Sequence, residues 1–275
     1  MDTTMTLYTF AASQSSEKVR WLLDAAGLRY HEVRLTPFLH LPQNRRISGG
    51  FAPSVPILEV DGETLQDSTR ILEWLEVHRA PFELIPADAP ERAAVMQAEA
   101  RFDMAGPHVV RLMYATLLEQ PELVRRLWTQ DAKPLHAGLL TVGFPVLKRI
   151  FSRGLGITPA ALHYSERLVE RALRELDRAA EQGRRYLVGD RLSAADVTAA
   201  ARFAPLICPD EHPVFSQPEY RDALAPLTSK WEARPAFDWV RAQYHRHRRV
   251  HLVRSRQPRA AGAGTTLSRA RLRVV

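Results

Sequence analysis

A cluster of hydroxyl residues lies between a short apolar segment and a helical pattern near the start of the chain. Ser13, Ser15 and Ser16 follow the apolar residues Leu7 to Phe10 and precede a helix that Gly27 is positioned to stop. A hydroxyl group at a helix N-terminus can cap the helix, or it can donate a hydrogen bond to an anion that the helix dipole also attracts. Local sequence alone favours ordinary loop and cap positions for the three serines.

A second polar pair, Asp67-Ser68, stands at the start of another helical pattern. It follows a strand entered through Val55-Pro56 and the hairpin turn Asp61-Gly62. In isolation the pair is an ordinary N-cap. Similarly, an X-Pro bond entering a strand is cis in only about 5–6% of folded cases.

The chain contains a single cysteine, Cys208. One thiol cannot form an intrachain disulfide or a cysteine-based zinc site, and secreted scaffolds usually carry several cysteines. The first ten residues include Asp2 and three threonines, which is unlike a secretory leader, and no stretch reaches the roughly 18 apolar residues of a membrane span. We therefore expect a cytoplasmic protein with no metal and no membrane partner.

Basic charge is concentrated at the C-terminus. The net charge is +7, with 38 basic and 31 acidic residues, but the segment from Arg246 to Val275 holds nine arginines and no acid. The body of the chain is therefore close to neutral, and its composition does not predict a nucleic-acid partner. Residues 251–275 have little apolar periodicity, which predicts either a solvated, disordered arm or a tail that binds an anionic partner.

The first eighty residues alternate strand and helix signals. Their order is strand, helix, strand, an uncertain segment, a hairpin and a helix. A helix between the first two strands predicts a parallel crossover, and the hairpin predicts antiparallel strands at the edge of the sheet. Residues 1–80 are thus expected to form an α+β domain.

Long helical patterns follow a proline-rich linker at residues 81–90. Residues 91–250 are expected to form an all-α domain, in which Ser193 and Asp196 predict a capping box at a helix start. An inserted segment near 116–159 is irregular, with four prolines and four glycines. Its apolar residues are expected to be buried on the body or against a partner subunit; they include Leu139, Leu140, Phe144, Val146 and Ile150.

Three stretches in the expected order resemble the cytosolic glutathione transferase superfamily across Met5 to Arg248. They are LYTFAASQSSEKVRWLLDAAGLRYHEV, SVPILEVDGETLQDSTRILEWL and YLVGDRLSAADVTAA. The resemblance implies a thioredoxin-like N-terminal domain followed by an all-α domain. It also implies glutathione as co-substrate, without a metal.

The first stretch is similar to the theta-like, bacterial-type catalytic loop, in which Leu-Tyr leads through four residues to Ser-Gln. Here Leu7-Tyr8 leads to Ser13-Gln14. The resemblance implies that Ser13 is the catalytic hydroxyl, which donates a hydrogen bond to the glutathione sulfur and favours the thiolate.

The other glutathione contacts are likewise implied by the resemblance. Val55 would pair its backbone with the cysteinyl moiety, beside a cis Pro56. Ser68 would hold the γ-glutamyl carboxylate, and Asp67 would face the γ-glutamyl amine. His40 aligns with a histidine near the glycyl carboxylate, with a surface histidine as the alternative.

The resemblance implies a homodimeric transferase that conjugates glutathione to a small hydrophobic electrophile. The alternative is a non-catalytic binding or interaction protein of the same fold, because Ser54 replaces a lysine that many relatives carry and the 116–159 insertion is long. A thiol-disulfide reductase is disfavoured, since the reactive position holds Ser13 and Cys208 belongs to the helical domain.

Overall fold

A four-stranded sheet forms the centre of the N-terminal domain. The computed structural model describes residues 4–42, 47, 54–79 and 81–248. The strands, in the spatial order β2-β1-β3-β4, are β1 (Met5–Thr9), β2 (His31–Arg34), β3 (Ile57–Val60) and β4 (Glu63–Gln66). β1 pairs parallel with β2, whereas the pairs β1-β3 and β3-β4 are antiparallel. The predicted parallel crossover and edge hairpin are both confirmed.

Two helices of this domain begin at the polar residues that the sequence marks. Helix α1 (Gln14–Ala25) has Ser13 as its N-cap, and helix α2 (Ser68–His78) has Asp67 as its N-cap. α1 buries Val19, Leu22 and Leu23 completely, while Gly27 follows the helix with a φ of 64°, a conformation that glycine adopts without strain. Apolar burial thus fixes the two helices and places both N-caps.

The helical domain begins at Ala89, inside the range expected for the linker. Its helices in the described residues are α3 (Ala89–Leu117), α4 (Pro121–Thr129), α5 (Pro134–Gly154), α6 (Pro159–Glu181), α7 (Ala194–Ile207), α8 (Pro218–Thr228) and α9 (Pro235–His247). All residues of α7 are buried, and this helix packs on α1, α3, α8 and α9. The predicted capping box of Ser193 and Asp196 is present at its start. α7 therefore packs on helices of both domains.

The segment near 116–159 is more regular than its sequence indicates, because it forms the end of α3 and the helices α4 and α5. α5 buries only Leu140 and Phe144, while Leu139, Val146 and Ile150 are all more than half exposed. Burial on the body of the chain is therefore wrong for these three residues, and burial against a partner subunit stays a prediction. They lie on the side of α5 turned away from Leu140 and Phe144, since a helix repeats every 3.6 residues.

The helices of the described ranges include none that is both long and apolar enough to cross a bilayer. The prediction of a disordered or anion-binding arm at residues 251–275 concerns positions outside the described residues. The last described residue, Arg248, is buried against α1. The described chain thus ends with a contact on the N-terminal domain.

Candidate functional site

A cavity of about 400 Å³ lies between the two domains. Its N-terminal wall is formed mainly by loop and helix-start residues: Phe10, Ala11, Ala12, Ser13, Gln14, Ser15, Ser54 and Val55. The helical domain contributes a mostly apolar wall with Gln130 and Asp131 as its polar members; the other residues are Val110, Met113, Tyr114, Leu127, Trp128, Phe151 and Leu155. A concave site with one polar side and one apolar side is typical of small-molecule binding.

Ser13 lies in the cavity wall and also caps α1. Its Oγ accepts a hydrogen bond from the Ser16 N–H at 3.2 Å, which satisfies one of the N–H groups left unpaired at the helix start. A hydroxyl has two acceptor lone pairs and one proton, so this bond leaves the Ser13 proton available to a ligand. The capping position and the predicted catalytic position are therefore compatible.

The structure brings the Val55-Pro56 bond next to the start of α2. The bond is cis, as predicted, and the carbonyl of Pro56 accepts the Asp67 N–H at 3.3 Å. Val55 lines the cavity. Asp67 is exposed, and its Oδ1 accepts from the Thr69 N–H at 2.8 Å and from the Arg70 N–H at 3.4 Å. Asp67 therefore caps α2, and its carboxylate is exposed enough for a cation to reach it.

Ser68 is buried, with 1% of its surface exposed, and it is not among the cavity wall residues. Its Oγ accepts a hydrogen bond from the Arg202 guanidinium at 3.2 Å. The structure therefore places Ser68 at the first turn of α2, as predicted, and its role at a ligand carboxylate remains a prediction.

Four charged side chains form a group between the domains, here called the interdomain cluster. Lys18, Glu99 and Arg202 are buried, and Asp103 is partly exposed. Lys18 contacts Glu99 and bonds to Asp103 at 2.8 Å, and Arg202 bonds to Asp103 at 2.6 Å. Burial alone would raise the pKa of Asp103, but Arg202 and Lys18 outweigh it and hold that pKa below its ordinary value. The cluster therefore keeps its charges paired across the domain boundary.

Arg202 is not among the residues that the sequence predicts for the site. It lies on α7 and its guanidinium also donates to Ser15 Oγ, a residue 187 positions away. Nothing in the local motif points to this contact. The one available signal is a lone arginine in the otherwise apolar stretch TAAARFAPLI, because arginines are almost never fully buried without a partner.

His40 does not reach the cavity wall. It is 9% exposed, and its ring packs edge-to-face on Phe10 with centroids 4.7 Å apart. The surface-histidine alternative is therefore wrong. Its role near a glycyl carboxylate stays a prediction that rests on the resemblance.

Two tyrosine hydroxyls near the sheet and the cavity keep their protons firmly. Burial, together with the hydrogen bond from its hydroxyl to Glu59 at 2.9 Å, raises the pKa of Tyr8 to about 12. Tyr114 lies in the apolar cavity wall, and burial raises its pKa as well. Tyr8 donates to Glu59 and is not in the wall, whereas Tyr114 is a wall residue whose hydroxyl can be compared with that of Ser13.

Cys208, the single cysteine of the sequence, is not among the residues of the cavity wall. Cys208 is buried at the end of α7, and burial raises the pKa of its thiol to about 12. Within the described ranges no group of three or more histidine, cysteine or acidic side chains could hold a metal ion.

Comparisons with known proteins agree with this geometry. Residues 7–82 match the family described as "Glutathione S-transferase, N-terminal domain". The maleylacetoacetate isomerase of Rattus norvegicus is 27% identical over 204 residues, which cover 72% of this chain and 76% of that protein.

Solved structures show the same fold over both domains. A glutathione S-transferase from Rhodospirillum rubrum is 25% identical with a TM-score of 0.53, covering 86% of this chain and 91% of that one. One from Methylobacterium radiotolerans, crystallised with glutathione sulfonate, is 21% identical with a TM-score of 0.51, covering 86% and 93%. Residues 7–82 thus belong to the family of glutathione S-transferase N-terminal domains, and the described chain has the glutathione transferase fold, with a thioredoxin-like domain followed by an all-α domain.

Proposed function

We propose that the protein is a glutathione transferase that joins glutathione to an apolar electrophile through a thiolate stabilised by Ser13. The observation that carries the proposal is the cavity between the domains. It sets the Ser13 hydroxyl and the first turn of α1 against a wall of apolar side chains. Such a site fits a reaction between an anionic sulfur and an apolar partner.

The polar wall suits a tripeptide with charged ends. Val55 offers its backbone N–H and C=O in the manner of a strand pairing. Asp67 faces the ammonium group of the γ-glutamyl residue, and the first turn of α2 at Ser68 faces its carboxylate. The bound glutathione and glutathione sulfonate in solved relatives support this assignment.

Glutathione supplies the nucleophilic thiol, whose pKa as a free thiol is about 8.5. Lowering that pKa by roughly two units takes about 2.7 kcal/mol of differential interaction with the thiolate. Ser13 donates one hydrogen bond, and the amides and dipole of the α1 N-terminus supply the remainder. The thiol proton passes to solvent.

The residues around the site then position the electrophile for attack. A sulfur lone pair forms the new C–S bond, and the leaving group departs with the electron pair of the bond that breaks. The aromatic rings of Trp128 and Phe151, from α4 and α5, hold the apolar body of the substrate. The inserted helices thus contribute to the electrophile side of the cavity.

A second candidate function comes from the name of the curated relatives, maleylacetoacetate isomerase. Isomerisation of an activated double bond needs the same first step, addition of a thiolate, followed by its loss. The glutathione-binding residues would then be unchanged, while no thiol would be consumed.

The test combines retention on glutathione-agarose with conjugation of 1-chloro-2,4-dinitrobenzene, followed by absorbance of the product. We expect retention and conjugation. Retention without conjugation of this or any other electrophile supports the non-catalytic alternative, and turnover of maleylacetoacetate without thiol consumption supports the isomerase. Failure to bind glutathione contradicts the proposed function.

A further inference from the structure

Arg202 links the helical domain to the first turns of both helices that start at the cavity side of the N-terminal domain. We propose that Arg202 is a positioning residue, which turns the hydroxyl protons of Ser15 and Ser68 towards bound glutathione. This inference rests on the proposed function, because it concerns how the same site holds the tripeptide.

The contacts of the Arg202 guanidinium carry the proposal. One terminal nitrogen donates to Ser15 Oγ, and the other donates to Ser68 Oγ at 3.2 Å and to Asp103 Oδ1 at 2.6 Å. Ser15 belongs to the first turn of α1 and lies in the cavity wall, and Ser68 begins α2. One side chain from α7 therefore binds the first turns of α1 and α2 at the same time.

The direction of these hydrogen bonds decides what the serines can do. Arginine has only donors, so both serine oxygens must act as acceptors towards Arg202. Each hydroxyl has a single proton, and with the oxygen accepting from arginine that proton is left for another acceptor. Both serines are thereby set to donate to an anion at the helix N-termini, where the backbone dipole also attracts negative charge.

Charge balance explains why Arg202 can be buried here. Its side chain is 6% exposed, and Asp103 pairs with it directly. Lys18 shares Asp103 and also contacts Glu99, so Asp103 alone does not absorb the charge of two cations. Glu99 supplies the second negative charge, so the two cations and two carboxylates balance and Arg202 can be buried beside the serines.

Gly106 of α3 provides the space for this arrangement. A Cβ atom at this position would lie 2.7 Å from Arg202 Cδ and 2.9 Å from Gln14 Nε2. The carbonyl oxygen of Gly106 accepts a hydrogen bond from Gln14 at 2.7 Å. The close approach of α1, α3 and α7 therefore depends on a residue without a side chain.

A purely structural role for Arg202 makes different predictions. If Arg202 only stabilised the contact between the domains, its replacement would change the free energy of unfolding but leave the glutathione affinity of the folded protein unchanged. A positioning residue lowers that affinity and leaves the rate at saturating glutathione nearly constant, since Ser13 still stabilises the thiolate. The two roles are separated by comparing KM with kcat.

The first experiment is calorimetric titration of glutathione into the full chain and its Arg202→Gln variant. We expect the Kd to rise about tenfold, as for the loss of a charge-assisted contact, with kcat at saturating glutathione within about twofold. The Arg202→Lys variant keeps the charge but lacks the two terminal nitrogens of the guanidinium group. Its Kd should lie between the values of the wild type and of Arg202→Gln. An unchanged Kd in either variant overturns the proposal.

A second experiment tests whether Arg202 acts through the serines. In a Ser15→Ala, Ser68→Ala background, Arg202→Gln should change the Kd less than about twofold, because the groups it orients are gone. A full tenfold loss in that background overturns the proposal. If Arg202→Gln fails to fold, the same comparison is made with Arg202→Lys.

The matched control is Arg234→Gln. Arg234 bonds to Asp177 at 2.9 Å between α6 and the start of α9, remote from the cavity wall. Its loss should leave glutathione affinity at the wild-type value. A wild-type chain that binds no glutathione contradicts the proposed function, whereas wild-type binding with an unaffected Arg202→Gln variant contradicts only this inference.

Discussion

Two ionic clusters contact helix α1, and they differ in whether hydrogen-bond donors beside them remain free to bind a ligand. The interdomain cluster contacts α1 through Lys18, and its arginine holds serines whose protons remain available. The second group, here called the C-terminal cluster, comprises Glu17, Arg20, Asp24 and Arg248. Arg248 bonds to Glu17 and to Asp24, each at 2.6 Å.

The C-terminal cluster is directed inward. Burial alone would raise the pKa of Glu17, but Arg248, His212 and Arg20 outweigh it and lower that pKa to about 2. Its carboxylate and guanidinium groups bond to one another, and none of them lines the cavity. The two clusters therefore differ in position: Ser15, which bonds to Arg202, lines the cavity, whereas no member of the C-terminal cluster does.

The largest effect is expected from Arg248→Ala. Removing this partner leaves the Glu17 carboxylate buried without its main counter-ion, which should lower the free energy of unfolding by about 3–5 kcal/mol. Urea unfolding measures the loss. The control is truncation after Val250, which retains Arg248 and should leave both the melting temperature and conjugation nearly unchanged. If truncation after Val250 lowered the stability as much as Arg248→Ala does, the stabilising contact would belong to the removed tail and not to Arg248.

The pH dependence of stability should follow His212, which lies beside the C-terminal cluster. Its Nδ1 accepts the N–H groups of Val214 at 3.1 Å and Phe215 at 3.0 Å, and burial lowers its pKa to about 4. The unfolded chain takes up this proton near pH 6.5 and the folded chain only near pH 4, so stability should fall by up to roughly 3 kcal/mol across that range.

His212→Asn tests this assignment, because the amide oxygen can accept the same backbone N–H groups without titrating. Urea unfolding of the variant between pH 6.5 and pH 4 should show a shallower slope than the wild type. Equal slopes would exclude His212 as the source.

At the cavity, Ser13→Ala should raise the pKa of the bound glutathione thiol and slow conjugation about tenfold or more at neutral pH. The reason is the loss of one hydrogen bond to a charged sulfur, worth roughly 1.5–3 kcal/mol. Ultraviolet absorbance of the thiolate measures the pKa. Tyr114→Phe, which removes a hydroxyl from the helical-domain wall of the cavity, is the control and should leave that pKa unchanged. A raised thiol pKa in Tyr114→Phe, with no change in Ser13→Ala, would show that Tyr114 and not Ser13 stabilises the thiolate.

The smallest effect concerns the start of α2. Ser68→Ala, and more strongly Asp67→Ala, should weaken glutathione binding about tenfold, or roughly 1.4 kcal/mol, because each removes a partner of a charged group. Calorimetric titration measures the change. Asp88→Ala is the control for lost capping, since Asp88 caps α3 through the Glu91 N–H at 3.0 Å. Wild-type affinity in both test variants would refute the assignment.

The sequence predicts those parts of the fold that local patterns determine. The hairpin at Asp61-Gly62, the caps at Ser13 and Asp67 and the capping box at Ser193 each depend on neighbouring residues, and the structure contains all of them. The cis peptide bond before Pro56 is also present, but its prediction rests on the family resemblance and not on the local sequence.

The remainder depends on contacts between distant residues. Arg202 lies 134 residues from Ser68, so no local window contains both partners. The prolines and glycines of the inserted segment suggest irregular structure, yet Pro121 and Pro134 begin helices, where their missing N–H group costs nothing. The exposed apolar face of α5 could not be deduced either, because periodicity alone does not say which side of a helix meets the core.

The burial of Cys208 has a practical consequence for work with reactive chemicals. A thiol with a pKa near 12 is almost entirely protonated at neutral pH, and the surrounding side chains block reagents from it. The folded protein should therefore resist alkylation by the electrophiles that it is proposed to process. Ellman's reagent added to the native protein with glutathione should then count glutathione alone, so that its consumption can be followed without correction for the protein.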